Sequence, residues 1–492
     1  MKYLLGIDFG GGASKATLLS EDGRIVAENT VEYPTLYVEN GACEQSPDDW
    51  IEALIKNSKA VLEKSGIAAE DIAAIAIDSA THTFLACDKD SKPLRNAIHW
   101  TDSRSVKHAR ELYEKCGEEI FKKTFHKPDT IWTLPQLLWL REREGELFGK
   151  IGRIFFEKDY IRYFLTGVYC TDYIEAEGSM LFDSVNMRWD GELCALCGID
   201  VSILPEIRKP TDIIGCVTEA AAEATGLKAG TPVITGTTDT AMEVFASGAV
   251  EAGDVTVKLA TAGRICVITD RPYPDRHMIN YSHIIDGLWY PGTGTKSAAA
   301  SYRWYRDTFG GDYASLNEGA EKVNIGCDGL MFHPHLNGEL TPYADPKLSA
   351  SFIGVRATHT KAHFTRAVLE GVSLSLLDCK TYLDSLNIPY KKEATLIGGG
   401  AKGKLWASIT ADALGMVLKT TESSDSSLGS AMLAGVAVGI FKSAKDAVSL
   451  CVKQKEIIYP NHENTEKYKQ LFTKYKKVHD ALAPIYSEET DI

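Results

Sequence analysis

Three consecutive glycines follow an aspartate, with one phenylalanine between, in the opening stretch LLGIDFGGGASKATLLSEDG, residues 4–23. Bare backbone amides beside a carboxylate suit a phosphate tail and its magnesium ion. The two familiar Gly-rich phosphate loops are excluded. The dinucleotide fingerprint needs a G-x-G-x-x-G frame ahead of a helix and the P-loop needs a Gly-Lys-Ser/Thr ending, and neither is present. After Gly12 the chain reads Ala-Ser-Lys-Ala-Thr-Leu-Leu, a Glu-Asp-Gly turn, then Arg-Ile-Val-Ala-Glu-Asn-Thr-Val. That is the pattern of short strands joined by hairpin turns. The glycines therefore fall at the tip of a β-hairpin with Asp8 at its base. Two readings are open: a phosphate site, or a tight turn that uses glycine only for positive φ.

Two later stretches carry related chemistry. GDVTVKLATAGRICVITDRP, from residue 253, repeats the grammar of the opening: a β-rich run, a tip of small residues, a second β-rich run and a turn. Each copy opens about half of the chain, which suggests two duplicated domains with a phosphate held from both sides. In ATLIGGGAKGKLWASITADALG, residues 394–415, an apolar strand runs into Gly398-Gly399-Gly400 and then a helical pattern. Glycines at such a junction let a flat ring, an adenine for example, approach the backbone; the plainer reading is a turn that needs small residues for packing. Asp239 follows the apolar strand PVITGT, and on its own it reads as a helix N-cap for TDTAMEVF.

The elements that must position these residues follow an α/β order. Strand-like IAAIAID (72–78) and PVITGT (232–237) alternate with helix-like segments such as SRSVKHARELYEKC from 103. A chain of 492 residues exceeds one ordinary core and implies two domains or three. With 53 basic against 67 acidic residues the formal charge is −14, so nucleic acid is set aside as a partner. The N-terminus meets a charge after a very short apolar run, and the longest such run, SAMLAGVAVGIF (430–441), falls far short of a membrane span and reads as a buried helix. A cytoplasmic location without a membrane partner is expected. The 11 cysteines are scattered except for Cys194 and Cys197, which argues for reduced thiols; that pair has no companion pair or histidine cluster and reads as structural. Tyr468, Leu471, Phe472, Tyr475, Val478 and Leu482 share one face of a C-terminal helix, whose lysines read as the solvated side of a docked helix.

Taken in order, these stretches resemble the FGGY family of carbohydrate kinases, of the actin/hexokinase-like ribonuclease-H fold, and within it most nearly the xylulokinases. GIDFGGGASKATLL resembles the first phosphate loop, IDSATHTFLACD the sugar-contact segment, and AIHWTDSRS the Trp-x-Asp-x-Arg pattern. EKDYIRYFLTG and TDYIEAEGSMLFD resemble the region that follows, GTTDTAMEVFASGAV the catalytic loop, KLATAG the second phosphate loop, LNGELTP a C-terminal loop, and GGGAKGKLWASITADALG the adenosine segment. The series covers nearly the whole chain.

The resemblance implies an ATP- and Mg²⁺-dependent sugar kinase of two ribonuclease-H-like domains facing a cleft. Residues 1–247 would bind sugar and carry the first phosphate loop and the base. Residues 248–492 would bind nucleotide and end in the terminal helix. Asp239 is then the catalytic base that accepts the proton of the attacking hydroxyl, and Asp8 helps hold magnesium, largely through water. Gly10, Gly11, Gly12 and Lys15, with Thr261 and Gly263, surround the phosphates, and Gly399 and Gly400 back the adenosine. Thr81, His82, Trp100, Asp102 and Thr240 are placed at the sugar, with Arg104 bonding to hydroxyls or to Asp102. Sugar and ATP are the expected partners, and a homodimer is allowed.

The chain departs from the family at several points. Gly11 and Gly12 replace hydroxyl residues, SATHT replaces Gln-Met-His-Gly around the matching histidine, Gln136 replaces a lysine, and Ala260 and Ala262 replace glycine and serine. D-xylulose leads as the substrate, ahead of ribulose, other ketoses, pentitols and tetritols such as erythritol. The rivals are an actin-like or chaperone-like ATPase without a sugar acceptor, and a degenerate sugar-binding sensor that does not turn over. The sensor is disfavoured because it would need neither Asp8 nor Asp239.

Overall fold

The computed structural model describes residues 1–488 and divides into two compact units. The first comprises Met1–Val250, Tyr281–Gly287 and Ser423–Lys453; the second comprises Glu251–Asn280, Leu288–Glu422 and the chain from Gln454.

The first unit is built on a mixed sheet whose strands run in the order Ile213–Cys216, Pro232–Ile234, Ile72–Ser79, Tyr3–Phe9, Ala13–Ser20, Ile25–Glu32. The expected glycine hairpin is present: Tyr3–Phe9 and Ala13–Ser20 pair antiparallel, with Phe9 opposite Ser14 and the glycines between them. Tyr3–Phe9 also pairs in parallel with Ile72–Ser79, which accounts for its near-continuous apolar run, since both faces are covered. One face sends Leu5, Ile7 and Phe9 into a core shared with Leu18, Trp50, Ile75 and Ile77.

On the other face lies the helix Ser426–Ala437, which contains much of the apolar run that reads as a buried helix and is indeed almost wholly buried. Gly6 lets it sit close: a Cβ there would meet Ser427 O at 2.0 Å and Ala431 N at 2.3 Å. Gly429 does the same on the helix's far side, where a Cβ would lie 2.4 Å from the carbonyl of Met242 in the helix Asp239–Ala246. The sheet, this helix and the Asp239 helix are thus packed as successive layers.

The short segment Tyr281–Gly287 is strapped onto the same unit by hydrogen bonds. Glu177 accepts hydrogen bonds from Ser282 N at 2.8 Å and Ser282 Oγ at 2.6 Å, and Tyr173 OH donates to the His283 carbonyl at 3.0 Å. Burial pushes the Glu177 carboxyl up to about 8, against the lowering effect of the Ser282 donors.

The second unit repeats the theme. Val255–Leu259 and Gly263–Val267 form an antiparallel hairpin inside a sheet ordered Gly292–Thr295, Gly263–Val267, Val255–Leu259, Glu393–Ile397, Val417–Thr421, Gln454–Ile458. The helix Lys361–Ser385 fills its core, and the terminal helix His462–Ser487 docks there through Tyr468 and Tyr475, with Leu471, Phe472 and Val478 packed alongside. Of its lysines, Lys467, Lys469, Lys474 and Lys477 are exposed as expected for a solvated side, whereas Lys476 is half-buried and pairs with Asp378 at 3.1 Å. Cys194 and Cys197 are buried on the helix Gly191–Cys197 of the first unit, and burial pushes both thiols up to about 12. Among the described residues no helix is long and apolar enough to cross a membrane, and no group of three or more His, Cys, Asp or Glu could hold a metal ion.

Two outcomes are expected. Gly6→Ala forces a backbone clash and should cost about 3 kcal/mol or more, read as a lowered urea midpoint; an unchanged midpoint would mean that the helix is not seated on the first strand. For Glu177, whose carboxyl rises from an ordinary 4.5 to about 8 on folding, the folded state holds the extra proton between those values. Its contribution is present at low pH and is lost as pH rises toward 8. Glu177→Gln should therefore show a flatter stability profile than the parent between about pH 5 and pH 8; parallel profiles would refute this.

Candidate active site

Three strand ends meet at one edge of the first sheet. Ile72–Ser79 lies between Tyr3–Phe9 and the two-residue strand Thr237–Thr238, with Asp78 in register with Asp8 on one side and Thr237 on the other. The carboxyl ends of parallel strands are where open α/β sheets bind ligands, and here they deliver Asp8, Asp78 and, one residue on, Asp239.

Asp239 is not the N-cap of its helix. Thr238 takes that position, its hydroxyl accepting from Ala241 N at 3.4 Å, so Asp239 begins the helix with its side chain released from capping. One carboxylate oxygen, Oδ1, accepts from Thr240 N at 2.6 Å, Thr240 Oγ1 at 3.2 Å and Thr81 Oγ1 at 3.2 Å. Oδ2 takes none of these bonds, and the residue is half-buried. A carboxylate held by one oxygen and open at the other is suited to accept a proton.

Asp8 and Asp78 lie within hydrogen-bonding reach of each other, and each keeps a buried Oδ1 without a partner. Burial, with the field of Asp239 and Glu243, pushes Asp8 up to about 7, although the bond to Asp78 works the other way. Burial and then the charge of Asp8 hold Asp78 well above the carboxylate range, and burial with the charge of Asp8 does the same to Glu157. Lys15, expected at the phosphates, instead pairs with Glu28 at 2.8 Å and with Asp425, so its ammonium is already neutralised.

At the hairpin tip Gly11 and Gly12 are exposed, and Gly10, Gly11 and Gly12 all lie outside the positive-φ region. A Cβ would meet nothing nearer than 3.5 Å at any of the three. Neither a left-handed turn nor crowding demands glycine at these three positions. The carbonyls are tied back: Gly10 O accepts from Tyr33 OH at 2.5 Å and Gly11 O from Thr35 Oγ1.

Beside Thr81, His82 adopts a left-handed backbone at φ 61°, held by its N–H donating to Glu175 Oε1 at 2.6 Å. Its buried ring lies 4.9 Å from that of Trp132, with Nε2 3.4 Å from Tyr281 OH and Nδ1 unpartnered. Burial, helped by His126, holds the imidazole well below its usual range, so it is neutral. His126 stacks on Trp132 at 4.4 Å and completes an aromatic box. Gly178 makes room for it, since a Cβ there would lie 1.9 Å from His82 Nδ1.

The aromatic wall next to His82 is Trp132 rather than Trp100, which is 39% exposed and contacts His99. Asp102 is buried and pairs with Arg104 at 2.7 Å; Arg104 also reaches Glu44 at 2.8 Å and lies over Trp139. These two bond to each other. Gln136 donates to backbone carbonyls of Thr130 and His99. In the second unit Thr261 is exposed at its hairpin tip, and Gly263 is buried, where a Cβ would lie 2.7 Å from Thr295. Gly399 is open, whereas Gly400 packs against Leu259 and Trp406. Asp78, His126, Trp132, Glu157, Glu175 and Tyr281 are additions to the residues legible in the sequence. For Asp78 a signal existed: IAAIAID ends in aspartate just as LLGID does.

Residues 3–246 match the N-terminal domain of the FGGY family of carbohydrate kinases, and residues 261–438 match its C-terminal domain. The chain is 32% identical to the xylulose kinase of Bacillus subtilis over 488 residues, covering 97% of each protein. It is 28% identical to the gluconokinase of the same organism over 506 residues, covering 99% of this chain and 98% of that one. The ligand-bound xylulose kinase structure from Lactobacillus acidophilus superimposes with a TM-score of 0.93 at 25% identity, covering 99% of both chains. With both domains matched in order along nearly its whole length, the chain belongs to the FGGY family of carbohydrate kinases.

Proposed function

We propose that this sugar kinase transfers the γ-phosphate of ATP to a hydroxyl of a small neutral sugar, a ketopentose such as D-xylulose, with Asp239 as the base. The observation that carries the proposal is the anchoring of Asp239 by one oxygen beside a neutral, backbone-held His82. In this reading Asp239 Oδ2 accepts the hydroxyl proton as the sugar oxygen attacks the γ-phosphorus. Thr81 and Thr240 keep the carboxylate from rotating, and His82 and Trp132 orient the sugar by one polar edge and one flat face. In this reading the first unit holds the acceptor; within the second, Thr261 meets phosphate oxygens and the open turn at Gly399 backs the adenosine.

Magnesium fits Asp8, whose buried Oδ1 has no protein partner. When bound, the ion would offset the charge of the β- and γ-phosphates. The exposed amides of the glycine tip would take phosphate oxygens without the help of side-chain hydroxyls.

Gluconokinase relatives raise gluconate as an alternative acceptor. Electrostatics favour the neutral sugar. A substrate carboxylate would be set beside Asp239 while Lys15, Lys158 and Arg104 are committed to Asp425, Asp159 and Asp102.

Magnesium-dependent ADP release should be measured against D-xylulose, ribulose, erythritol, glycerol and gluconate. D-xylulose should give the highest kcat/KM, and Asp239→Ala should lower kcat by roughly 10²–10⁴-fold with little change in KM for ATP. A preference for gluconate would overturn the substrate assignment. Release without sugar would favour the ATPase, and sugar binding without release the sensor.

A further inference from the structure

We infer that Asp78 is the second carboxylate of the magnesium site, so that this enzyme binds a divalent cation before nucleotide arrives. The inference rests on the reading that Asp8 faces the metal.

Parallel pairing places Asp8 and Asp78 side by side on neighbouring strands, and the two side chains are close enough to hydrogen-bond. Ser430 Oγ donates to Asp78 Oδ2, which leaves Oδ1 as the oxygen without a partner; Asp8 Oδ1 is likewise unpartnered. Asp78 is fully buried, and among the described residues neither carboxylate is salt-bridged to a cation. Asp239 and Glu243 add negative field from the adjoining helix.

Two carboxylates in contact are stable only with a positive charge between them, either a shared proton or a metal ion. A magnesium site needs only one or two protein carboxylates, with water and substrate phosphates completing the shell. Asp8 alone would give a site that depends on the nucleotide for most of its ligands. Asp8 with Asp78 gives a site that holds a cation by itself. Ser430 fixes one oxygen of Asp78 and leaves the other without a partner. The helix that carries Ser430 is the one seated against Gly6, so that hydrogen bond is built into the packing of the unit.

The test is titration of the full-length protein with Mn²⁺ in the absence of nucleotide, following the free Mn²⁺ electron paramagnetic resonance signal, with Mg²⁺ as competitor. The parent should bind Mn²⁺ competitively with Mg²⁺. Asp78→Asn, shown to be folded by circular dichroism, should bind roughly 10–100-fold more weakly, and Asp8→Asn should lose binding to a similar degree. Loss in Asp8→Asn with parental affinity in Asp78→Asn overturns the role of Asp78 and leaves the kinase reading intact; the two carboxyl groups would then be sharing a proton. Parental affinity in Asp8→Asn removes the metal role of Asp8 and the inference with it. Should Asp78→Asn fail to fold, Ser430→Ala decides: a severalfold weaker Mn²⁺ affinity supports the assignment, and an unchanged one overturns it.

Discussion

Carboxyl groups gathered in a dry pocket repel one another, and a fold that keeps them together must spend packing energy on the arrangement. The first unit is organised around such a gathering at the ends of three strands. Parallel register sets Asp8 beside Asp78, and the short strand Thr237–Thr238 on the far side brings in Asp239. Beneath them is a second, fully buried group in which the charges do balance. Lys158 pairs with Asp159 at 2.6 Å and with Asp172 at 2.9 Å, and Arg162 reaches Asp159 at 3.1 Å. Thr237 Oγ1 donates to Asp172 at 2.8 Å, which ties the strand that leads to Asp239 to this balanced group. Asp172 also caps the helix Tyr173–Glu177, which carries Glu175 under His82 and Glu177 under the strap. The strand that leads to Asp239 and the helix beneath His82 are therefore anchored to one buried ion network.

Much of this was legible in the sequence because glycine and aspartate have narrow structural uses. LLGIDFGGG and GDVTVKLATAG both read as hairpins with small tips, and both are. The helix at 426–437 and the docked terminal helix followed from apolar runs and from a helical face. What stayed hidden depends on contacts between distant segments. Asp239 looks like a helix cap until Thr238 is seen in that position. Lys15 looks like a phosphate ligand until Asp425, 410 residues away, claims it. Trp100 sits in a recognisable pattern, but the tryptophan at His82 is Trp132, placed there by a loop with no motif of its own.

In the proposed reading, discrimination among sugars rests on few contacts in this site. A hydrophobic wall rejects an added or missing carbon weakly, whereas a site built to bond a particular hydroxyl rejects its absence strongly. The box around His82 combines both kinds of surface: rings from Trp132, His126 and Tyr281, and polar edges from Thr81 and the His82 imidazole. Tyr281 arrives from the strap rather than from the strands that carry the other residues, so one wall of the box is set by the bond between Ser282 and Glu177.

The discontinuity of the first unit bears on how the protein is made. Its sheet is complete by residue 250, but the helix that covers the Gly6 face begins at Ser426. At synthesis rates of about 5–20 residues per second, that face of the nascent sheet waits on the order of ten to forty seconds for its cover. During that interval Leu4 and the ends of the Asp8 and Asp78 strands lack their layer, and the growing chain carries an apolar, unfinished surface of the sort that chaperones bind.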